Sequence, residues 1–364
     1  MSPKNATTTT KTPAELDFAM PAEWEKHEAT WLGWPHNRKD WHGKIVPVQW
    51  AFGEMVRKIS PGEIVRILVQ GHAHEAQARR MLENAHVDMK QVEFYRRPTD
   101  RGWTRDFGPI CVRRSGRKPE VAIVKFKFNA WGGRYPNWEC DNRVPLKVAK
   151  TLGLRVFPAI VEGQEFALEG GGIDVNGRGT ILTTRQCYLH PTVQVRNPGA
   201  TRSDYEAVFR DYLGATNVLW LNSGIAGDDT HGHVDDLCRF VNPTTVVMAR
   251  ESDPKDVNYR PLKENRERLE GMRLEDGSRI QVVELPCPAP LHYGEWRLPA
   301  SYANFYISNA AVIVPTFNDT ADRRALGVLR DLFPGRAVVG IHAVDLVVGF
   351  GTLHCLTQQQ PVVK

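Results

Sequence analysis

The chain has 364 residues, 41% hydrophobic and 24% charged, with 47 Lys and Arg against 42 Asp and Glu for a formal net charge of +5. That length suits one large domain or two ordinary ones with a self-sufficient core. The mild basic excess contains no run of five like charges, which argues against a nucleic-acid tail, and no stretch approaches the roughly 18–20 apolar residues of a membrane helix.

Residues 1–16 carry no apolar signal core and predict a polar, disordered lead, with one catalytic domain over 17–364. Ala29–Trp34 reads as half of a β-hairpin whose other half appears only at Leu353–Thr357. Between them, five segments read as an amphipathic helix followed by a strand: Val48–Gln70, Asp141–Ile160, Ser203–Asn222, Asn258–Leu285 and Asp319–His342. In the third, Ser203 and Glu206 match a capping box, and Tyr205, Val208, Phe209, Tyr212 and Leu213 recur at helical spacing. Four hairpins separate these segments. Ile110–Arg113 and Val121–Phe128 flank Ser115-Gly116. Gly172–Val175 and Thr180–Thr184 flank Asn176-Gly177, a strong tight-turn signal. Leu237–Val241 and Val246–Ala249 flank Asn242-Pro243, and Phe305–Ser308 meets Val312–Phe317 near Asn309. The order predicts an α/β fold of five ββαβ modules about an axis, a five-bladed propeller closed by strands from both chain ends. A generic α/β chain of irregular order is the alternative.

Six cysteines lie scattered without a CxxC pair, which argues against a zinc ribbon or a disulfide framework and for a reducing cytoplasm. Polar or glycine-rich segments precede the hairpins. Related by rotation, they bring Trp103, Asp106, Glu169, His233, Asp235, Asn304 and Cys355 to one funnel. A thiolate is the reactive form of cysteine, and a histidine moves protons near neutral pH. Two inward carboxylates are costly unless a cation sits between them, and a planar guanidinium matches carboxylate oxygens in pairs. Trp103 suits stacking on that cation. The pattern therefore asks for a guanidino substrate, with Asp228 and Asp229 placed to meet a distal ammonium. Asn304 reads equally as a structural hydrogen-bond former. His231, His233 and Asp235 alternate as on a strand face, which leaves a metal-dependent hydrolase as the enzyme alternative. A non-catalytic guanidine- or polyamine-binding protein is the other.

The motifs Met20-Pro21-Ala22-Glu23-Trp24, Arg105-Asp106, Glu169-Gly170-Gly171-Gly172, Gly232-His233-Val234-Asp235, Ser301-Tyr302-x-Asn304 and His354-Cys355-x-Thr357-Gln358-Gln359 stand in colinear order. In this the chain resembles the agmatine deiminase and peptidyl-arginine-deiminase-type branch of the guanidine-modifying pentein superfamily. The resemblance implies a five-bladed fold, Cys355 as nucleophile, His233 as general acid and base, and Asp106 and Asp235 as guanidinium-binding carboxylates. It places Trp103 and Glu169 at further active-site positions, which join Asp229 and Asn304, read from their place in the chain, as candidate substrate-binding residues. It implies no cofactor, no metal and a small guanidino substrate, agmatine, converted to N-carbamoylputrescine in polyamine biosynthesis. Free arginine and peptidyl-arginine are the alternative substrates, and a homo-oligomer is left open. Two departures touch lining loops: Phe107 follows Arg-Asp, and Gly349-Phe350-Gly351-Thr352 precedes His354-Cys355.

Overall fold

A computed structural model describes residues 11–363. Of the polar lead, residues 1–10 lie outside the described residues, and Ala14–Leu16 form a single 3-10 turn with Leu16 against the core.

Five sheets repeat one pattern. A short antiparallel hairpin is followed by a helix that returns the chain to a parallel third strand. The second sheet holds Ile110–Arg114, Glu120–Lys125 and Arg155–Pro158, joined through helix Val144–Leu152. The third holds Asp174–Val175, Thr180–Thr184 and Asn217–Leu221. The fourth holds Cys238–Asn242, Thr245–Arg250 and Gln281–Pro286. The fifth holds Tyr306–Ile307, Ala311–Thr316 and Ala337–His342. Their crossover helices are Arg202–Leu213, Tyr259–Gly271 and Ala321–Leu332.

The first sheet borrows its hairpin partner from the other end of the chain. Thr357–Pro361 pairs antiparallel with His27–Gly33, which continues through helix Ile45–Ile59 into parallel Ile64–Val69. The C-terminal strand begins four residues later than the sequence suggests, because residues 353–356 form the turn that carries Cys355. A further helix, His72–Asn84, adds strand Val92–Arg96 to this sheet. Its mixed polarity, with Ala78 and Leu82 the buried positions, hid it from hydrophobic periodicity.

The capping box of the third crossover helix starts two residues earlier than predicted. Thr201, not Ser203, is the N-cap, and Asp204, not Glu206, reaches back. Both triplets fit the pattern; Gly199 with φ +82° turns the chain so that Thr201 takes the extended cap conformation. Glu206 instead accepts from Trp220 Nε1 at 2.9 Å and so ties the helix to its strand. Apolar faces of the helices close three hydrophobic clusters against the sheets. No helix among the described residues is long and apolar enough to cross a membrane.

Candidate active site

The first hairpin strand of each sheet is entered through a tight turn. These are the helical turn Thr104–Phe107, the 3-10 turns Gly170–Gly172 and Val234–Asp236, and the turns around residues 302–303 and 353–356. Turns of this kind project side chains past the strand ends while backbone groups lock neighbours together. The Gly171 amide donates to Asp106 Oδ1 at 3.1 Å, and the Arg105 amide to the Cys355 carbonyl at 3.1 Å. Asn304 Nδ2 lies 3.0 Å from Cys355 Sγ, and Asp235 Oδ2 lies 3.6 Å from it. His233 Nδ1 is 3.6 Å from Asp106 Oδ1, and its Nε2 is 3.5 Å from Glu169 Oε2. All five sheets thus deliver chemistry to one place: the turns entering the second to fifth sheets bring Asp106, Gly171, Asp235 and Asn304, and the turn before the C-terminal strand of the first brings the thiol.

A cavity of about 1060 Å³ opens onto this cluster, with Cys355, Asp106, Trp103 and Trp131 in its wall. Trp131 Nε1 donates to Asp106 Oδ2 at 2.9 Å. The Trp103 ring packs on Trp41 at 5.0 Å. A Cβ on Gly351 would lie 2.8 Å from the Trp103 ring and 3.2 Å from Cys355 Sγ, so only glycine lets sulfur and indole approach this closely. Phe350 stands in the left-handed region at φ +67°, lines the cavity and packs near Trp296. Phe107, by contrast, is buried against Phe128 and leaves the cavity unaltered.

Burial first, then the Asp235, Asp236 and Asp106 carboxylates, push the Cys355 thiol well above its ordinary value, with Asn304 pulling weakly down. Burial also lifts Asp106 to about 7 against the pull of His233. Burial alone would lower His233, but the Asp106 carboxylate, with Cys187 and Glu169, overcomes it and holds the ring charged well above the usual histidine range. Glu169 is lowered despite burial by Arg196, whose Nε is 3.2 Å from both carboxylate oxygens, and by His233. Three buried carboxylates thus crowd the sulfur, and a positive ligand there lowers both Cys355 and Asp106.

Of the sequence-predicted residues, Cys355, His233, Asp106 and Asp235 come together; Cys355 and Asp106 line the cavity with Trp103, and His233 and Asp235 are fully buried beside them. Glu169 lies behind His233 rather than in the cavity wall. Asn304 is a hydrogen-bond hub: its Oδ1 accepts from Thr352 Oγ1 and the His354 amide, and its Nδ2 donates to Asp236. Asp229 faces the cavity but is engaged by Arg134 at 2.8 Å and the Tyr135 hydroxyl at 2.5 Å. Asp228 is turned away and caps the amides of Thr230, Gly232 and His233, so it does not meet a ligand.

The metal alternative loses its geometry. Residues 231–235 are not a strand: His231 has φ +62° and Val234–Asp236 is a 3-10 turn, so His231, His233 and Asp235 share no face. Among the described residues, the clusters with metal-ligand spacing are Glu169–Cys187–His233 and Asp235–Asp236–Cys355, neither including His231. In the first, Arg196 already holds the carboxylate.

Sequence reasoning missed the layer beneath. His354 bridges Asp235 and Glu23, and Glu23 also binds Arg105 and Arg239. Both residues sit inside quoted motifs, next to the thiol and in the N-terminal Pro-Ala-Glu-Trp, yet nothing in their spacing reveals that they touch. Trp131, in Asn129-Ala-Trp-Gly-Gly, had a signal in its glycine pair: Ala130 and Trp131 both take positive φ, +52° and +57°.

Residues 19–361 match the family model described as Porphyromonas-type peptidyl-arginine deiminase. The chain is 36% identical to an agmatine deiminase of Ectopseudomonas mendocina, over 98% of each chain. A solved agmatine deiminase of Enterococcus faecalis superposes with a TM-score of 0.89 at 32% identity, over 97% of this chain and 98% of that one. A C. jejuni agmatine deiminase with substrate bound superposes at 0.82 with 31% identity, over 94% and 96%. Motifs, fold and buried thiol–imidazole–carboxylate cluster point the same way, and the chain belongs to the Porphyromonas-type peptidyl-arginine deiminase family.

Proposed function

We propose that this protein is an agmatine deiminase, hydrolysing agmatine to N-carbamoylputrescine and ammonia by covalent cysteine catalysis, as a cytoplasmic enzyme of putrescine synthesis. We read the five sheets as the blades of a five-bladed α/β propeller, sealed where strand Thr357–Pro361 meets His27–Gly33, with residues 17–364 as one catalytic domain. The observation that carries the activity is a buried thiol 3.6 Å from one carboxylate, opening onto a cavity walled by a second. The names of the similar proteins support the choice of agmatine.

In this reading Asp106 and Asp235 hold the guanidinium flat, and Trp103 and Trp131 flank it. The bound cation lowers the thiol, and the Cys355 thiolate attacks the central carbon. His233, which stands between Asp106 and Glu169, gives its proton to the departing nitrogen, and ammonia leaves. The product of that step is a thiouronium on Cys355. His233 then takes a proton from water as it attacks the same carbon. Collapse breaks the carbon–sulfur bond and frees the ureido product with the thiolate.

One observation favours a second reading. The cavity is larger than a guanidino derivative of a four-carbon diamine needs, and its rim is open around Arg134 and Trp296, whose exposures are near half. An arginyl peptide fits such a mouth. The deciding experiment offers agmatine, free arginine and a blocked arginyl peptide and scores ammonia and ureido product for each. Turnover of agmatine above the others supports the first reading; turnover of the peptide without agmatine replaces it.

A further inference from the structure

We propose that His354 is a positioning residue that clamps one oxygen of Asp235 and leaves the other free for the guanidinium. The inference rests on the reading of Asp235 as a guanidinium-holding carboxylate. His354 Nδ1 lies 2.6 Å from Asp235 Oδ2, and Nε2 lies 2.8 Å from Glu23 Oε2. Each ring nitrogen thus stands at hydrogen-bond distance from a different carboxyl group, and the ring bridges the two. The three side chains are buried, at 1%, 0% and 3% exposure for His354, Asp235 and Glu23, so water does not replace either contact.

The far end of the clamp is firmly held. Glu23 Oε1 accepts from Arg239 Nη2 at 3.0 Å and from the Ile307 amide at 2.9 Å, and Oε2 accepts from Arg105 Nη2 at 3.0 Å. The near end is incomplete. Asp235 Oδ1 is buried with no hydrogen-bond partner among the described residues. A buried carboxylate oxygen without a donor is costly, and a guanidinium N–H supplies that donor.

His354 also precedes the nucleophile in the chain. Its amide and that of Cys355 both point at Asn304 Oδ1, at 3.1 and 3.4 Å. The same residue therefore sets the thiol turn by its backbone and the carboxylate by its ring. That couples the spacing between Sγ and Asp235, 3.6 Å, to a single side chain.

Two substitutions separate the two ends of the ring. An asparagine amide reaches where Nδ1 stood, and a glutamine amide reaches where Nε2 stood. His354→Asn keeps a donor on Asp235 and releases Glu23; His354→Gln does the reverse. Guanidinium chloride binding by calorimetry and KM for agmatine are measured on each, beside urea unfolding. The clamp predicts that His354→Gln weakens both constants by about ten- to a hundredfold while His354→Asn stays within about threefold. Equal losses in the two variants, following their losses in stability, overturn it. Should His354→Gln not fold, His354→Asn decides: near wild-type guanidinium binding supports the clamp, and a loss matching that of Asp235→Ala overturns it. A wild-type protein that binds guanidinium but turns over no guanidino compound defeats the parent reading and leaves the clamp standing.

Discussion

One methyl group placed at Gly171 tests the assembled site. This glycine sits in the 3-10 turn Gly170–Gly172, and its φ is not positive, so alanine meets no backbone penalty there. Its Cβ, however, would lie 2.5 Å from His233 Nδ1 and 2.8 Å from Asp106 Oδ1. Comfortable contacts are about 3.5 Å or more, so the imidazole or the carboxylate must retreat by nearly 1 Å. Neither has room: His233 is fully buried, and Asp106 is tied to Trp131. A displacement of about 1 Å between reacting groups costs on the order of a hundredfold in rate, and overpacking costs about 1–3 kcal/mol of stability. Gly171→Ala should therefore lower kcat/KM about a hundredfold in an ammonia-release assay while the protein still unfolds cooperatively in urea. Gly335→Ala, where an added Cβ meets nothing within 4 Å, is the control. Wild-type kcat/KM in Gly171→Ala would refute the placement of His233 and Asp106 against that turn.

Cys355→Ala should abolish turnover and leave guanidinium binding largely intact by calorimetry; a dead variant that also fails to bind argues that the thiol shapes the pocket. Asp106 is raised to about 7, so its carboxylate is protonated below that pH and kcat/KM should rise as pH increases through about 7. Because the folded-state value lies above the unfolded one, ionised Asp106 destabilises the fold at higher pH. Asp106→Asn should melt above wild type at pH 8 and lose activity; a lower melting temperature contradicts the burial argument. Arg134→Ala frees Asp229 from its guanidinium partner, and the KM for agmatine should fall about two- to fivefold with that for methylguanidine unchanged, since exposed pairs are weak. Equal changes for both substrates exclude a distal role for Asp229. Glu23→Ala strands two buried guanidiniums and the His354 ring, and urea unfolding should show a loss of about 3–5 kcal/mol; less than 1 kcal/mol speaks against the network.

Local patterns carried much of this protein into view. Helical spacing in Tyr205, Val208, Phe209 and Leu213 and the turn at Asn176-Gly177 report interactions within a few residues, so one stretch of chain suffices to reveal them. The candidate site residues were legible for a similar reason: a thiol, an imidazole and carboxylates in motif segments stand out by residue type, and the structure brings them together. Contacts between distant segments were not legible. The capping register at Thr201 depended on how Gly199 turns the chain, and the partner of Asp229 is Arg134, 95 residues away. The link from Glu23 to His354 spans 331 residues and exists only because the first and last strands share a sheet. Residue identity thus determined which groups can react, whereas packing across the sheets decided which of them stand free, which are neutralised and which aim the others, because Coulomb and hydrogen-bond energies depend on distances that no local sequence pattern encodes.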